Sequence, residues 1–201
     1  MKRITALLCA LLLLLSLSAC GKTSTPEETA ETFFAAMQKM DFDGMNACAT
    51  ADAQMEWNPG GGGFSGETEQ QLLDVFKKLA AKMEYTIGEA TVSDTTATVP
   101  ATVTFVDAAP LVRDMMTDVM ANMVMTLLGE ENEDDVYTQM IRSIAEKVDT
   151  ATLSTQTVDL QLALSKTDDG WKISAWSDEL ANVLSANMSD AFADAAASLT
   201  K

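Results

Sequence analysis

Apolar residues recur along the chain with two different periods, and the longer period predicts its helices. Side chains spaced three and four residues apart lie on one face of a helix. This spacing predicts a first helix from Pro26, a shorter one over residues 45–50, a third after Gly66, a helical hairpin over 110–148 and a last helix from Ser177. Helices are therefore expected in the first third, in the middle and at the end of the folded region.

The shorter period, an alternation of apolar and polar residues, predicts β-strands between these helices. Pro100 falls among the polar positions of the second strand. Because proline has no amide proton to donate, it favours an edge position or a bulge there. Asp169-Gly170 is a strong signal for a hairpin turn between the last two strands. The four predicted strands lie at 83–87, 97–105, 158–164 and 171–175.

The order of these elements predicts one α+β domain over residues 26–201. A four-stranded antiparallel sheet is expected to pack against the first helices. The helical hairpin at 110–148 is inserted between the two halves of the sheet, and a C-terminal helix completes the domain.

The N-terminal segment has the features of an export signal. Met1-Lys2-Arg3 is basic, residues 4–17 form an almost unbroken apolar run, and Leu17-Ser18-Ala19-Cys20 follows. The alternative, an uncleaved membrane helix, needs about 20 apolar residues, and this run is shorter. The last four residues resemble the lipobox of bacterial lipoproteins. The resemblance implies a signal peptide at 1–19, a lipid on Cys20, a lipidated tether at 20–25 and attachment to the extracytoplasmic face of the cell membrane.

Charge and composition exclude several classes of function. The 201 residues include no histidine and carry a net charge of −17. Histidine-dependent nucleophile systems and zinc sites with histidine ligands are therefore excluded. So is a surface that tracks nucleic-acid phosphates. Cleavage before Cys20 would leave 182 residues with a net charge of −19, so anionic lipid headgroups should repel the folded body. Cys48, among apolar neighbours, is expected to be buried.

The first predicted helix and the last hairpin carry a resemblance to a known superfamily. Residues 25–37 read Thr-Pro-Glu-Glu-Thr-Ala-Glu-Thr-Phe-Phe-Ala-Ala-Met, and Asp169 to Ile173 read Asp-Gly-Trp-Lys-Ile. Both segments resemble small bacterial lipoproteins with an NTF2-like fold, also called cystatin-like or cone-shaped. The resemblance implies a sheet curled into a cone that can hold a pocket. The hairpin at 110–148 and the last helix are additions that could fill or cover this pocket.

Aromatic and methionine side chains are the candidates for an apolar pocket or an interaction surface. Methionine is flexible and polarizable, so a methionine-rich helical hairpin can adapt to apolar ligands, although the spacing is also that of an ordinary core, which is favoured. The candidate residues are Trp57, Tyr85, Met116, Met120 and Trp171.

Acidic residues invite a metal or catalytic role, but their spacing does not support one. Asp41 and Asp43 lack the further ligands of a calcium loop, and the acidic run at 130–135 has no ligand spacing. Asp107 and Asp159 lie on or near predicted strands without a cooperating partner. The sequence predicts no metal, no cofactor and no catalytic residue.

Together these patterns predict a membrane-anchored extracytoplasmic lipoprotein. Its favoured role is non-catalytic: a module of the cell envelope that binds a small apolar ligand or another envelope protein. One alternative is an envelope enzyme that acts on a small apolar substrate in the cone. Another is an accessory subunit of a transporter or a cell-wall complex. Superfamilies of this kind host many activities, so the fold alone does not select among these roles.

Overall fold

The computed structural model describes residues 24–56, 66–114, 133–150 and 153–198. Within these ranges the chain forms a curled antiparallel sheet with helices packed on it, which confirms the predicted α+β class. Within the same ranges, every helix is too short or too polar to cross a membrane.

The first two helices begin at side-chain caps. Helix α1 (Pro26–Met37) starts with a capping box, in which the Glu28 amide donates to Thr25 Oγ1 over 3.2 Å and the Thr25 amide donates to Glu28 Oε2 over 2.9 Å. Helix α2 (Phe42–Ala47) begins three residues earlier than the predicted 45–50. Asp41 Oδ1 accepts from the Gly44 amide over 2.9 Å and so fixes that earlier start.

Helices come both before and after the central strand of the sheet in the sequence. Helix α3 (Glu67–Ala80) follows Gly66, as predicted. A helical segment begins at residue 109 and is described to residue 114, and helix α4 (Glu133–Thr150) follows. The part of the predicted hairpin between these two segments lies outside the described residues.

In the described part of the chain the sheet has five strands rather than the predicted four. Strand β3 is central: both β1 and β2 pair with it on one side, and β4 pairs with it on the other, followed by β5. All these pairs are antiparallel. The strands are β1 (Glu84–Ile87), β2 (Thr91–Ser93), β3 (Thr96–Val106), β4 (Thr155–Thr167) and β5 (Gly170–Ile173).

Pro100 explains why the edge beside β3 is divided into β1 and β2. Its carbonyl accepts from the Gly88 amide over 2.8 Å, at the point where β1 has ended and β2 has not begun. A Cβ on Gly88 would lie 2.8 Å from Pro100 Cγ, so only glycine allows this approach. The edge position that was one of the two predictions for Pro100 is therefore wrong, because β3 is central. The neighbouring strand is instead interrupted beside Pro100, and this interruption adds the fifth strand.

The last predicted helix is two helices. Helix α5 (Asp178–Ser185) ends where Ala186 and Asn187 adopt left-handed conformations, and α6 (Met188–Ser198) follows. The Asn187 side-chain amide donates to Asp107 Oδ1 over 3.1 Å and to Gln156 Oε1 over 2.7 Å. These bonds tie the kink to the ends of β3 and β4.

Two apolar cores lie at different places along the sheet. The first core joins the concave face of the sheet to α1, α2 and α5, and it contains the fully buried Phe33, Val99 and Ile173. The second core joins α3, the segment 109–114, α4 and α6 to Val106, the last residue of β3. Cys48 is buried in the first core, as predicted.

Candidate functional site

Side chains of α1 occupy the concave face of the sheet, where the predicted pocket would lie. Phe33 and Phe34 are fully buried, and Met37 is 1% exposed. The Phe33 ring packs edge-on against Phe34, with centroids 5.6 Å apart, and against Trp176, with centroids 5.5 Å apart. Since these rings lie in the same core as the inward side chains of β3 and β4, the described part of the cone is filled by the protein itself.

A small cavity remains beside this packing, between α1, α3, the end of β3 and α5. Its volume is about 10 Å³. A water molecule needs a cavity of at least about 10–15 Å³ and polar partners. The walls are almost entirely apolar: Met37, Phe76, Leu79, Ala80, Met83, Phe105, Val106, Val183, Leu184 and Ala186. The space is therefore too small and too apolar for an organic ligand or a bound water.

Tyr85, one of the predicted pocket residues, lies on β1 at the rim of the concave face. Its ring stacks on Phe34 with centroids 5.1 Å apart, and its hydroxyl donates to Glu31 Oε1 over 3.1 Å. Burial, and then the neighbouring Glu31 carboxylate, raise the pKa of Tyr85 to about 12. The phenol therefore stays protonated at physiological pH and acts as a hydrogen-bond donor that joins β1 to α1.

Trp171, a second predicted pocket residue, lies on β5 and is 9% exposed. Its carbonyl accepts from the buried hydroxyl of Thr29 over 3.2 Å, and Lys166 Nζ lies 5.9 Å from the centre of its ring. Trp171 and Tyr85 belong to strands on opposite sides of β3, and α1 packs against both strands. They support the opening helix rather than line an open pocket.

The remaining predicted pocket residues are Trp57, Met116 and Met120, and they lie outside the described residues. The start of the acidic run at 130–135 lies there too. Among the described residues, no group of three or more carboxylate or thiol side chains has the geometry of a metal site.

The carboxylates considered for catalysis have local partners. Asp107 Oδ1 accepts from the Ala109 amide over 3.1 Å, as well as from the Asn187 amide group, so it anchors the chain after β3. Asp159 is exposed and accepts from Thr102 Oγ1 over 2.7 Å. It lies on the outward face of the sheet, whereas Tyr85 packs inward, so these two groups do not form a common site.

An open groove lies between α3 and α4, and the sequence analysis did not predict it. Its volume is about 420 Å³. Lys77 and Lys78 line it from α3, and Arg142 lines it from α4. Its other lining residues are Gln71, Asp74, Val75 and Ala145. Two adjacent lysines in so acidic a chain could have indicated a locally positive surface. The pairing of α3 with α4, which brings Arg142 to the same groove, was not predictable from local periodicity.

Lys78 is held in the groove by an ion pair. Its Nζ lies 2.6 Å from Asp149 Oδ2, and both side chains are about half exposed. Lys77 and Arg142 are also exposed to solvent. Since Asp74 is a fourth charged group on the same walls, the lining carries three positive charges and one negative charge.

No protein-family model matches the sequence. No curated protein matches it either. Among solved structures, the fold is similar to the crystal structure of YcdA from Bacillus subtilis, a protein provisionally described as a lipoprotein. The similarity has a TM-score of 0.45 at 15% sequence identity and covers 61% of this chain and 38% of YcdA.

Proposed function

We propose that the protein is a lipid-anchored lipoprotein of the extracytoplasmic membrane face, with a folded body that is a non-catalytic interaction module. The anchoring part rests on the lipobox Leu17-Ser18-Ala19-Cys20 behind a basic and then apolar segment. The folded body starts only a few residues after Cys20, because the capping box of α1 begins at Thr25.

The non-catalytic part of the proposal rests on one observation, the filling of the concave face by α1. In the NTF2-like cone that we propose for this fold, a ligand or substrate would enter between the opening helix and the sheet. Phe33 and Phe34 occupy that space, and about 10 Å³ is left beside them. A binding role is therefore assigned to the outer surface of the domain, and the proposed partner is a molecule of the cell envelope.

Lipidation can be tested with a matched pair of cysteine variants. Cys20→Ser removes the thiol that would carry the lipid, whereas Cys9→Ser changes a cysteine inside the apolar run of the signal. In a bacterial host fed a labelled fatty acid, the wild type and Cys9→Ser should carry the label and fractionate with membranes. Cys20→Ser should carry no label and stay uncleaved. A Cys20→Ser protein that is labelled and processed like the wild type would contradict the anchoring proposal.

The interaction role needs a separate measurement on the lipidated protein. Native mass spectrometry of protein purified gently from its own host should show the acylated chain without a bound apolar molecule. An apolar small molecule retained in stoichiometric amount would contradict the filled cone and favour the enzyme alternative. Crosslinking at the membrane would then identify the envelope partner that the proposal requires.

A further inference from the structure

The lipid-bearing N-terminus enters the fold at one end of the sheet. Glu27, in the first turn of α1, accepts through Oε1 from the Ala90 amide over 2.9 Å, just before β2. Thr29 in the next turn donates to the carbonyl of Trp171, just after the β4–β5 turn. Lys166, opposite Trp171, donates from its backbone amide to Thr95 at the β2–β3 turn. We call this end, where both hairpin turns lie, the anchor end.

The groove between α3 and α4 lies at the opposite end of the sheet. Val75 and Leu79 of α3 pack in the second core with Ile144 and Val148 of α4 and with Val106, the last residue of β3. Strand β3 contains 11 residues and begins at the anchor end. At about 3.3 Å per residue, its two ends lie roughly 33 Å apart. The groove is therefore separated from the start of α1 by the length of the central strand.

The groove also differs in charge from the chain around it. Lys77, Lys78 and Arg142 converge on its walls, while the whole chain has a net charge of −17. The guanidinium group of arginine presents paired donors to phosphate oxygens. A lysine ammonium also binds phosphate, as a compact charge on a flexible side chain. The lining also includes Asp74, and Lys78 is paired with Asp149, so Lys77 and Arg142 are the cations that would contact a ligand. Two cations on two packed helices suit an anion with two charges better than a single carboxylate.

We propose that this groove binds a ligand through its phosphate or pyrophosphate group, and that the ligand approaches from the side away from the membrane. The choice of ligand rests on the groove itself. The direction of approach also rests on the proposed function, because it requires the lipid on Cys20. The proposal places the long axis of β3 away from the membrane. With a Debye length of about 8 Å at 0.15 M ionic strength, headgroups roughly 33 Å from the groove are then screened from it.

Binding is tested by calorimetric titration of sodium pyrophosphate into the full lipidated protein in a neutral detergent. The wild type should show one site whose affinity falls as salt is raised. Lys77→Ala/Arg142→Ala should weaken the affinity about tenfold or more, because each lost group donates charged hydrogen bonds. Lys78 is left unchanged in this variant so that its ion pair with Asp149 still joins α3 to α4.

The matched control removes the same number of positive charges elsewhere. Lys39 is exposed beyond the end of α1, and Lys166 lies over Trp171 at the anchor end. Lys39→Ala/Lys166→Ala should bind pyrophosphate within about twofold of the wild type, since distant exposed charges are screened. An absence of binding by the wild type would overturn the proposal. So would an equal loss of affinity in the two double variants, because net charge alone would then explain the binding.

Membranes of two compositions test the direction of approach. The lipidated protein is reconstituted into vesicles of phosphatidylcholine alone and into vesicles that also contain phosphatidylglycerol, and the pyrophosphate titration is repeated. Equal affinities within about twofold are expected if the groove lies beyond the screened surface potential. Loss of binding only on phosphatidylglycerol vesicles would show that headgroups occupy the groove, which overturns the orientation. Mass spectrometry of the peptide that contains Cys20 measures lipidation separately. A wrong anchoring proposal can therefore be distinguished from a wrong binding proposal for the groove.

Discussion

Replacement of Phe33 by alanine would measure how far the fold depends on α1 filling the sheet. Phe33 is fully buried and makes edge-on contacts with Phe34 and Trp176 at 5.6 and 5.5 Å. Phe→Ala in a packed core costs about 3–5 kcal/mol, and each aromatic contact adds about 0.5–1.5 kcal/mol beyond area burial. We expect a loss near the upper part of that range, about 4–5 kcal/mol. Domains have total stabilities of about 5–15 kcal/mol, so the variant should fold but be marginal.

The assay is equilibrium unfolding in urea, followed by tryptophan fluorescence, because Trp176 touches the altered side chain. Phe42→Ala is the matched control: the chemical change is the same, but Phe42 is only half-buried at the start of α2. Complete burial of such a side chain is worth about 1.5–3 kcal/mol, and truncation at a partly exposed site leaves little cavity, so Phe42→Ala should cost about 1–2 kcal/mol. The two variants should therefore differ by about 3 kcal/mol at similar denaturant slopes.

A second readout separates lost packing from a general loss of stability. An apolar cavity made by a large-to-small substitution stays dry and can bind a small apolar molecule. Benzene should therefore raise the urea midpoint of Phe33→Ala and leave that of the wild type unchanged. A cost for Phe33→Ala no larger than that of Phe42→Ala would refute the reasoning. So would a wild-type protein stabilised by benzene as much as the variant, since the cone would then already be open.

Two other predictions concern the rim of the concave face and the kink between the last helices. The stability contributed by protonated Tyr85 is complete below its unfolded pKa near 10 and is lost as pH rises to about 12; after discounting for solvent screening, the loss should be about 1 kcal/mol. Phenolate absorbance should show that Glu31→Gln lowers the pKa of Tyr85 towards 10 without reaching it, because burial remains. Tyr85→Phe assigns the absorbance signal to this residue. An unchanged pKa in Glu31→Gln would contradict the role of Glu31. Asn187→Ala should cost about 2–3 kcal/mol in urea unfolding, from left-handed strain and two lost hydrogen bonds. Asn187→Gly should recover about 1 kcal/mol of this loss, and a glycine variant no more stable than the alanine variant would show that strain is not part of the cost.

Local patterns predicted the central strands well because each of these strands has one buried and one exposed face. In β3, Val99 and Val103 are fully buried while Thr98 and Thr102 face solvent. The start of α1 was predictable for a similar reason, since its capping box is closed by residues only three positions apart. Interactions of this short range leave a direct trace in the sequence.

The differences from prediction arise where distant residues decide the local structure. The apolar spacing after Ser177 suits one continuous helix, but Asn187 adopts a left-handed conformation and binds Asp107 and Gln156. Both partners belong to the ends of strands far away in the sequence. The fifth strand has a comparable origin, because the break at Gly88 is visible only once β1 and β2 are paired with the same side of β3.

The same limit applies to the candidate site. Aromatic residues suggested a pocket, and two of them, Tyr85 and Trp171, do lie around the concave face. Sequence spacing could not show that Phe33 and Phe34 of α1 would fill this face, because that depends on how the helix crosses the sheet. Nor could it show that Lys77 and Arg142, 65 positions apart, would share one groove.

Helix α1 connects the two proposals through its position on the sheet. Its first turn binds Ala90 and Trp171 and so places the start of α1 at the anchor end. Its middle carries Phe33 and Phe34 into the space that a cone would otherwise offer to a ligand. A helix that both fixes the end facing the anchor and fills the interior leaves the outer surfaces for binding. The groove of α3 and α4 combines volume, a positively charged lining and distance from the start of α1, which are the properties that the proposed phosphate-bearing ligand would use.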